Sequence, residues 1–115
     1  MRTLALPLLL LAALSTTACG LLFVEGPPQF IPDDAISVRC TDSMVLPNLD
    51  GVWMGLNALV VVDAIGDDTY VNRDELIAGG VVWIVFSGIS ALVGQRKVKA
   101  CREAKDMVAA RAPTP

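Results

Sequence analysis

The chain has no histidine, and only one tyrosine, two tryptophans and three phenylalanines among its 115 residues. Without histidine it lacks both the commonest metal ligand and the commonest general base near neutral pH. Its three cysteines, at 19, 40 and 101, show no C-x-x-C spacing, so zinc and haem sites have no framework. There is no G-x-S-x-G, no phosphate-cradling glycine loop and no carboxylate pair on a recognisable scaffold. Asp67, Asp68, Asp74 and Glu75 do cluster, but a polar connection beside a helix start accounts for them. The stretch Asp67–Asn72 also lacks the glycine and the closing glutamate of a calcium loop. No enzyme, metal or cofactor is expected.

Charge is scarce, at 18% of residues, and unevenly placed. Ten acids lie between Glu25 and Glu75 (Glu25, Asp33, Asp34, Asp42, Asp50, Asp63, Asp67, Asp68, Asp74, Glu75) against Arg39 and Arg73 alone. The balance then reverses, with Arg96, Lys97, Lys99, Arg102, Lys105 and Arg111 against Glu103 and Asp106. Such a basic tail suits nucleic acid in a cytosolic protein. In an exported one it sits at a membrane surface or solvates a helix, and no nucleic-acid partner is expected.

Export is what the first residues indicate. Arg2 supplies a positive end, Leu4–Leu14 an apolar run broken only by Pro7, and Ser15, Thr16, Thr17 and Ala18 lead as small residues into Cys19. Small residues let a peptidase bind the chain extended, and a cysteine at the cut offers a thiolate for lipid. Residues 1–18 therefore read as a lipoprotein signal peptide and Cys19 as the lipidation site, carrying thioether-linked and amide-linked acyl chains. Thr16 stands where the lipoprotein box usually has leucine; an uncleaved membrane segment is the alternative. Two or more chains, at ~0.8 kcal/mol per buried methylene, make attachment effectively permanent.

With Cys19 reserved for lipid, Cys40 and Cys101 remain as an even pair in an oxidising compartment, which favours a disulfide over two buried thiols. Residues 19–39, with Gly26, Pro27, Pro28 and Pro32, suit an extended lipid-proximal tether. A first helix is expected over about 47–66, with Pro47 and Asp50 in its opening turn and Gly66 as its stop. Asn72 and Glu75 form a capping-box pattern for a second helix, expected over about 73–110. Its stretch Leu76–Gly94 is nineteen residues without a charge, about 28 Å of helix against a bilayer core of ~30 Å. Gly80, Ser87, Ala91 and Gly94 fall near one face, a small-residue stripe that lets another helix approach closely. Residues 111–115 read as a disordered tail.

The spacing of the cysteines turns these segments into an architecture. Cys40 lies 26 residues before Gly66, and Cys101 lies 26 residues after Glu75. Folding the chain at the polar connection brings both to the open end of an antiparallel pair. The expected fold is all-α: a two-helix antiparallel hairpin over residues 40–110, membrane-associated and closed by a disulfide. Three depths are compatible with the pattern: both helices span, only Leu76–Gly94 spans, or neither does. In this fold Asn57 comes near Ser87, where it can bond a serine of the partner helix, and Asp63 lies within a turn of interfacial water.

Cys40-Thr41-Asp42-Ser43, taken with Gly94-Gln95-Arg96-Lys97-Val98-Lys99-Ala100-Cys101-Arg102-Glu103-Ala104-Lys105, resembles small uncharacterised bacterial lipoproteins. Those proteins pair a C-T-x-S segment with a glycine-ended apolar helix leading into C-R-x-A-K. The resemblance covers residues 40–105, supports pairing the cysteines and implies no activity. The expected role is that of a lipid-anchored cell-envelope protein, structural or interacting, facing the periplasm or exterior. Its expected partners are membrane lipid and a membrane protein or second copy docked on the small-residue face. The alternative is an accessory subunit of a transport or secretion assembly, with Asn57 and Asp63 facing a polar route.

Overall fold

A computed structural model describes residues 19–111 of the chain. Three helices follow in order: α1 (Cys19–Phe23), α2 (Val45–Gly66) and α3 (Arg73–Arg111). The fold is all-α, with α2 and α3 packed together as an antiparallel hairpin and a disulfide between Cys40 and Cys101 at its open end. Their Cα atoms lie 5.8 Å apart, and the bond closes a separation of 61 residues. Because the bond holds both open arms together, a hairpin in which only Leu76–Gly94 crosses a bilayer is excluded. Both apolar helices cross or neither does, and each is long and apolar enough to do so.

The seam between the helices follows a step of three and four residues. On α2, Pro47, Asp50, Val61 and Ala64 are buried and Met54 and Asn57 half-buried, so one line runs 47, 50, 54, 57, 61, 64. On α3, Gly80, Ser87, Ala91, Gly94, Val98 and Cys101 are buried, with half-buried Ile84 in the same register. A mean repeat of 3.5 residues is the geometry of two helices wound gently about each other. What differs from a soluble pair is the content of the seam, which is small or polar for most of its length. A β-carbon on Gly80 would collide with the Val61 side chain, and one on Gly94 would lie 2.9 Å from Pro47 Cγ. The missing side chains are therefore what let the helices come this close.

Large apolar residues point the other way. Leu59, Val62, Val82 and Leu92 are each about three-fifths exposed, and Trp53, Leu56, Ile65, Val85, Phe86 and Ile89 join them on the outside. Burying one such side chain is worth about 1.5–3 kcal/mol, so an outward belt of them is a large stabilisation left unused in water.

Beyond the belt the molecule changes character. The charged end of α3 carries residues 24–44, which lack regular secondary structure, on its surface. Val38, Ala104 and Val108 form a small buried cluster there, flanked by Ile31 and Cys40. Lys105 pairs with Asp42 at 2.7 Å, Arg102 donates to the Asp42 carbonyl, and Arg111 pairs with Asp33. Residues 19–39, expected as an extended lipid-proximal tether, lie against the hairpin. Cys19–Phe23 is helical, and the irregular run after it is tied down by Glu25 and Thr41, which exchange two hydrogen bonds. Glycine and proline excluded long helices from this segment without excluding docking.

At the closed end, Arg73 holds the turn. Its guanidinium donates to the carbonyls of Ala64 and Ile65, in the last turn of α2, and pairs with Asp68. Asp67 accepts from the Thr69 amide, and Asn72 contributes its carbonyl to Leu76. Among the described residues no side-chain bond joins Asn72 and Glu75, so the expected capping box is not formed; Arg73 serves the other side of the turn, placing its charge at the α2 C-terminus. The expected signal peptide over residues 1–18 lies outside the described residues, as does the tail from residue 112; Arg111 itself ends α3.

Candidate functional site

The most elaborate polar arrangement sits where α1 enters the hairpin. Asp50 is 2% exposed, on the seam line of α2 and one turn into the helix. Its Oδ2 accepts the Gly20 amide at 2.7 Å and the Ser90 hydroxyl at 2.6 Å. Ser90 Oγ in turn accepts the Leu21 amide at 3.1 Å. The first amides of α1 are therefore received by side chains 30 and 69 residues away, one from each long helix. At the other end of α1, Lys97 Nζ donates to the carbonyls of Val24 and Leu21, at 3.0 and 3.3 Å. An acid faces the amide end of this five-residue helix and a cation its carbonyl end, matching its dipole.

Shape reinforces the chemistry. A β-carbon on Gly20 would lie 2.7 Å from Asp50 Oδ2 and 2.8 Å from the Ser90 carbonyl. One on Gly94 would lie 3.2 Å from Gly20 Cα. Two glycines thus meet backbone to backbone, and Pro47 closes the crevice beside them. Leu22 and Phe23 on the free side of α1 are about three-fifths exposed.

The residues singled out in the sequence divide between this site and the seam. Gly80, Ser87, Ala91 and Gly94 are all buried, but against α2 and α1 of the same chain. The face expected to receive a partner is already occupied. Asn57 does not bond a serine across the seam; its Nδ2 donates to the Trp53 carbonyl one turn earlier, at 2.8 Å. Ser87 Oγ is left buried without a partner among the described residues. Asp63 accepts from the Tyr70 hydroxyl, which places it in the turn network. Cys19 begins α1, one residue before the crevice glycine.

Three titrations are displaced outside the apolar helices. The hydrogen bond and charge of Lys105 hold the Asp42 carboxyl below the ordinary aspartate range. Hydrogen bonds from Thr69 do the same for Asp67. Asp63, by accepting a hydrogen bond from the Tyr70 hydroxyl and by its charge, pushes that phenol up. None of these groups faces a cavity fitted to a substrate. The cleft between Asp33–Ile36 and Val108–Arg111, about 310 Å³, is open and, apart from buried Val108, lined by side chains at the surface. No cluster of three metal-ligating side chains occurs among the described residues.

Asp50 was legible as an acid in a first helical turn, not as a buried acceptor. Its place in the three-four register with Pro47, Asn57 and Val61 is the signal that marks it as inward. No family model, curated protein or solved structure matches the chain.

Proposed function

We propose that this protein is a lipid-anchored hairpin inserted in a bacterial membrane, with a structural or protein-interaction role in the envelope. The observation that carries the reading is the inversion of its packing. Small and polar residues fill the seam while leucine, valine, isoleucine and phenylalanine face outward. Contiguous apolar surface of this extent marks a membrane or protein interface, and small-residue seams are how helices associate without a hydrophobic driving force. Inward-facing Asp50, Asn57, Ser87 and Ser90 fit the same environment.

The anchor is assigned to Cys19. Its support is the export signal together with the exposed Leu22 and Phe23 beside it, at the end of the apolar belt that carries the disulfide. An oxidising compartment at that end puts the basic half of α3 outside and the acidic turn 67–72 inside, against the positive-inside tendency. A partner, on this reading, contacts the outer belt or the charged outer end, since the small-residue face is filled.

The test separates hairpin from anchor. Residues 1–19 are replaced by an ordinary cleavable secretory signal, and the membranes are washed at alkaline pH. The unacylated chain is expected to stay in the pellet, and its release into the wash would exclude insertion of the hairpin. Intact mass of the unaltered protein reports cleavage before Cys19 and the added lipid; a mass retaining residues 1–18 would exclude the anchor.

A further inference from the structure

Asp50 is the only charged side chain found buried among the described residues, and no lysine or arginine among them pairs with it. Both of its hydrogen bonds come from neutral donors. A buried acidic side chain held only by neutral donors leaves the opposite charge still to be supplied. The backbone nitrogen immediately upstream of the Gly20 amide, in the same helical turn, is that of Cys19.

We propose that Asp50 is the counter-ion seat for the α-ammonium group created at Cys19 when the export signal is removed, so that maturation locks α1 into the hairpin. This rests on the anchored-lipoprotein reading above. Water hydrolyses the Ala18–Cys19 amide, leaving a carboxylate on Ala18 and an ammonium on Cys19. Before cleavage that nitrogen is a neutral amide; afterwards it carries the charge that the carboxylate lacks. Ser90 and the Gly20–Gly94 contact hold the carboxylate and the backbone in register, and Lys97 fixes the far end of α1. The lock also bears on the lipid. An ammonium held in a closed crevice is a poor acyl acceptor, so the mature chain keeps its thioether-linked diacylglyceryl group and a free amine. This replaces the amide-linked chain expected from the sequence.

The full chain, with its own signal, is produced in a bacterial host that carries out complete lipoprotein maturation. Intact mass then gives the state of Cys19, and timed acetylation gives the accessibility of its amine. The wild type is expected to show a free α-amine. Asp50→Asn, which removes the seat, is expected to gain an amide-linked chain in this host; in a host without that last acylation its amine should be acetylated about tenfold or more faster than the wild type's, because only the uncharged amine reacts and a facing carboxylate holds it charged. Ser90→Ala keeps the carboxylate and should keep the amine free and protected. An amide-linked acyl chain on the wild type overturns the seat and leaves the anchor standing. Equal acetylation rates in the wild type and Asp50→Asn overturn it too. If Asp50→Asn fails to form the Cys40–Cys101 bond, a wild-type amine reacting as fast as that of an unstructured peptide is decisive against the seat. Retention of residues 1–18 removes the anchor reading itself.

Discussion

Gly80 shows how much of this fold depends on atoms that are absent. A β-carbon there would run into Val61, whose buried side chain fills the space the glycine leaves. Replacing Gly80 by leucine forces the helices apart, an overpacking cost of about 1–3 kcal/mol in a closely packed interior. The expected outcome is a lowered unfolding midpoint in detergent, partly restored by adding Val61→Ala. An additive pair would mean that the two residues do not share this contact. Charge at the outer end gives a second test at this scale. Lys105 holds the Asp42 carboxyl below its ordinary range, so the pair stabilises the fold above the unfolded-state value near pH ~4. That contribution is lost as pH falls through the lowered folded-state value. In Lys105→Met the acid-side loss attributable to Asp42 should shrink to what Arg102 and the backbone hydrogen bond retain, visible as a shallower fall of the thermal midpoint over that window.

Helices of very different legibility share this chain. The two long ones could be read directly: α2 runs Val45–Gly66 and α3 Arg73–Arg111, against expected spans of about 47–66 and 73–110. Their length, their stop signals and the symmetric placement of Cys40 and Cys101 contain enough local information. α1 could not be read, because five residues carry no periodicity and its partners Asp50, Ser90 and Lys97 are remote in the chain. Composition pointed to a tether, and only tertiary hydrogen bonds make it a docked helix. The inward turn of Asp50 was missed for a related reason, since the register that buries it becomes visible only when both helices are aligned. Lys97→Met tests how α1 is held. Loss of the cation from the Leu21 and Val24 carbonyls should speed amide hydrogen exchange over residues 21–26 by about fivefold to thirtyfold, the equivalent of 1–2 kcal/mol. Exchange within Val52–Val62 should be unchanged; equal acceleration there would make Lys97 a determinant of the whole hairpin.

The whole molecule is two structures joined end to end, and the disulfide belongs to only one of them. Along the apolar lengths, α2 and α3 are held by the small-residue seam and the Asp50–Ser90 bond, neither of which needs oxidised sulfur. At the outer end, residues 24–44 cover α3 with one small cluster of buried side chains, a few ion pairs near the surface and the Cys40–Cys101 bond. Exposed ion pairs contribute little, about 0–1 kcal/mol each. Closing a loop of this length is worth about 4 kcal/mol in the chain-entropy model, more than any other single outer contact supplies. Removing the bond should therefore divide the molecule at a definite place. Under reductant, or in the double variant Cys40→Ser, Cys101→Ser, residues 24–44 should become protease-sensitive while Val45–Gly94 keeps its helicity and protection. The measurement is limited proteolysis with mass mapping, alongside far-ultraviolet circular dichroism, in detergent or lipid. Cleavage spread over both regions would show that the disulfide holds the hairpin as a unit. Cleavage confined to the outer segment would show a membrane-type seam that stands alone and an outer cap whose order depends on the redox state of its compartment.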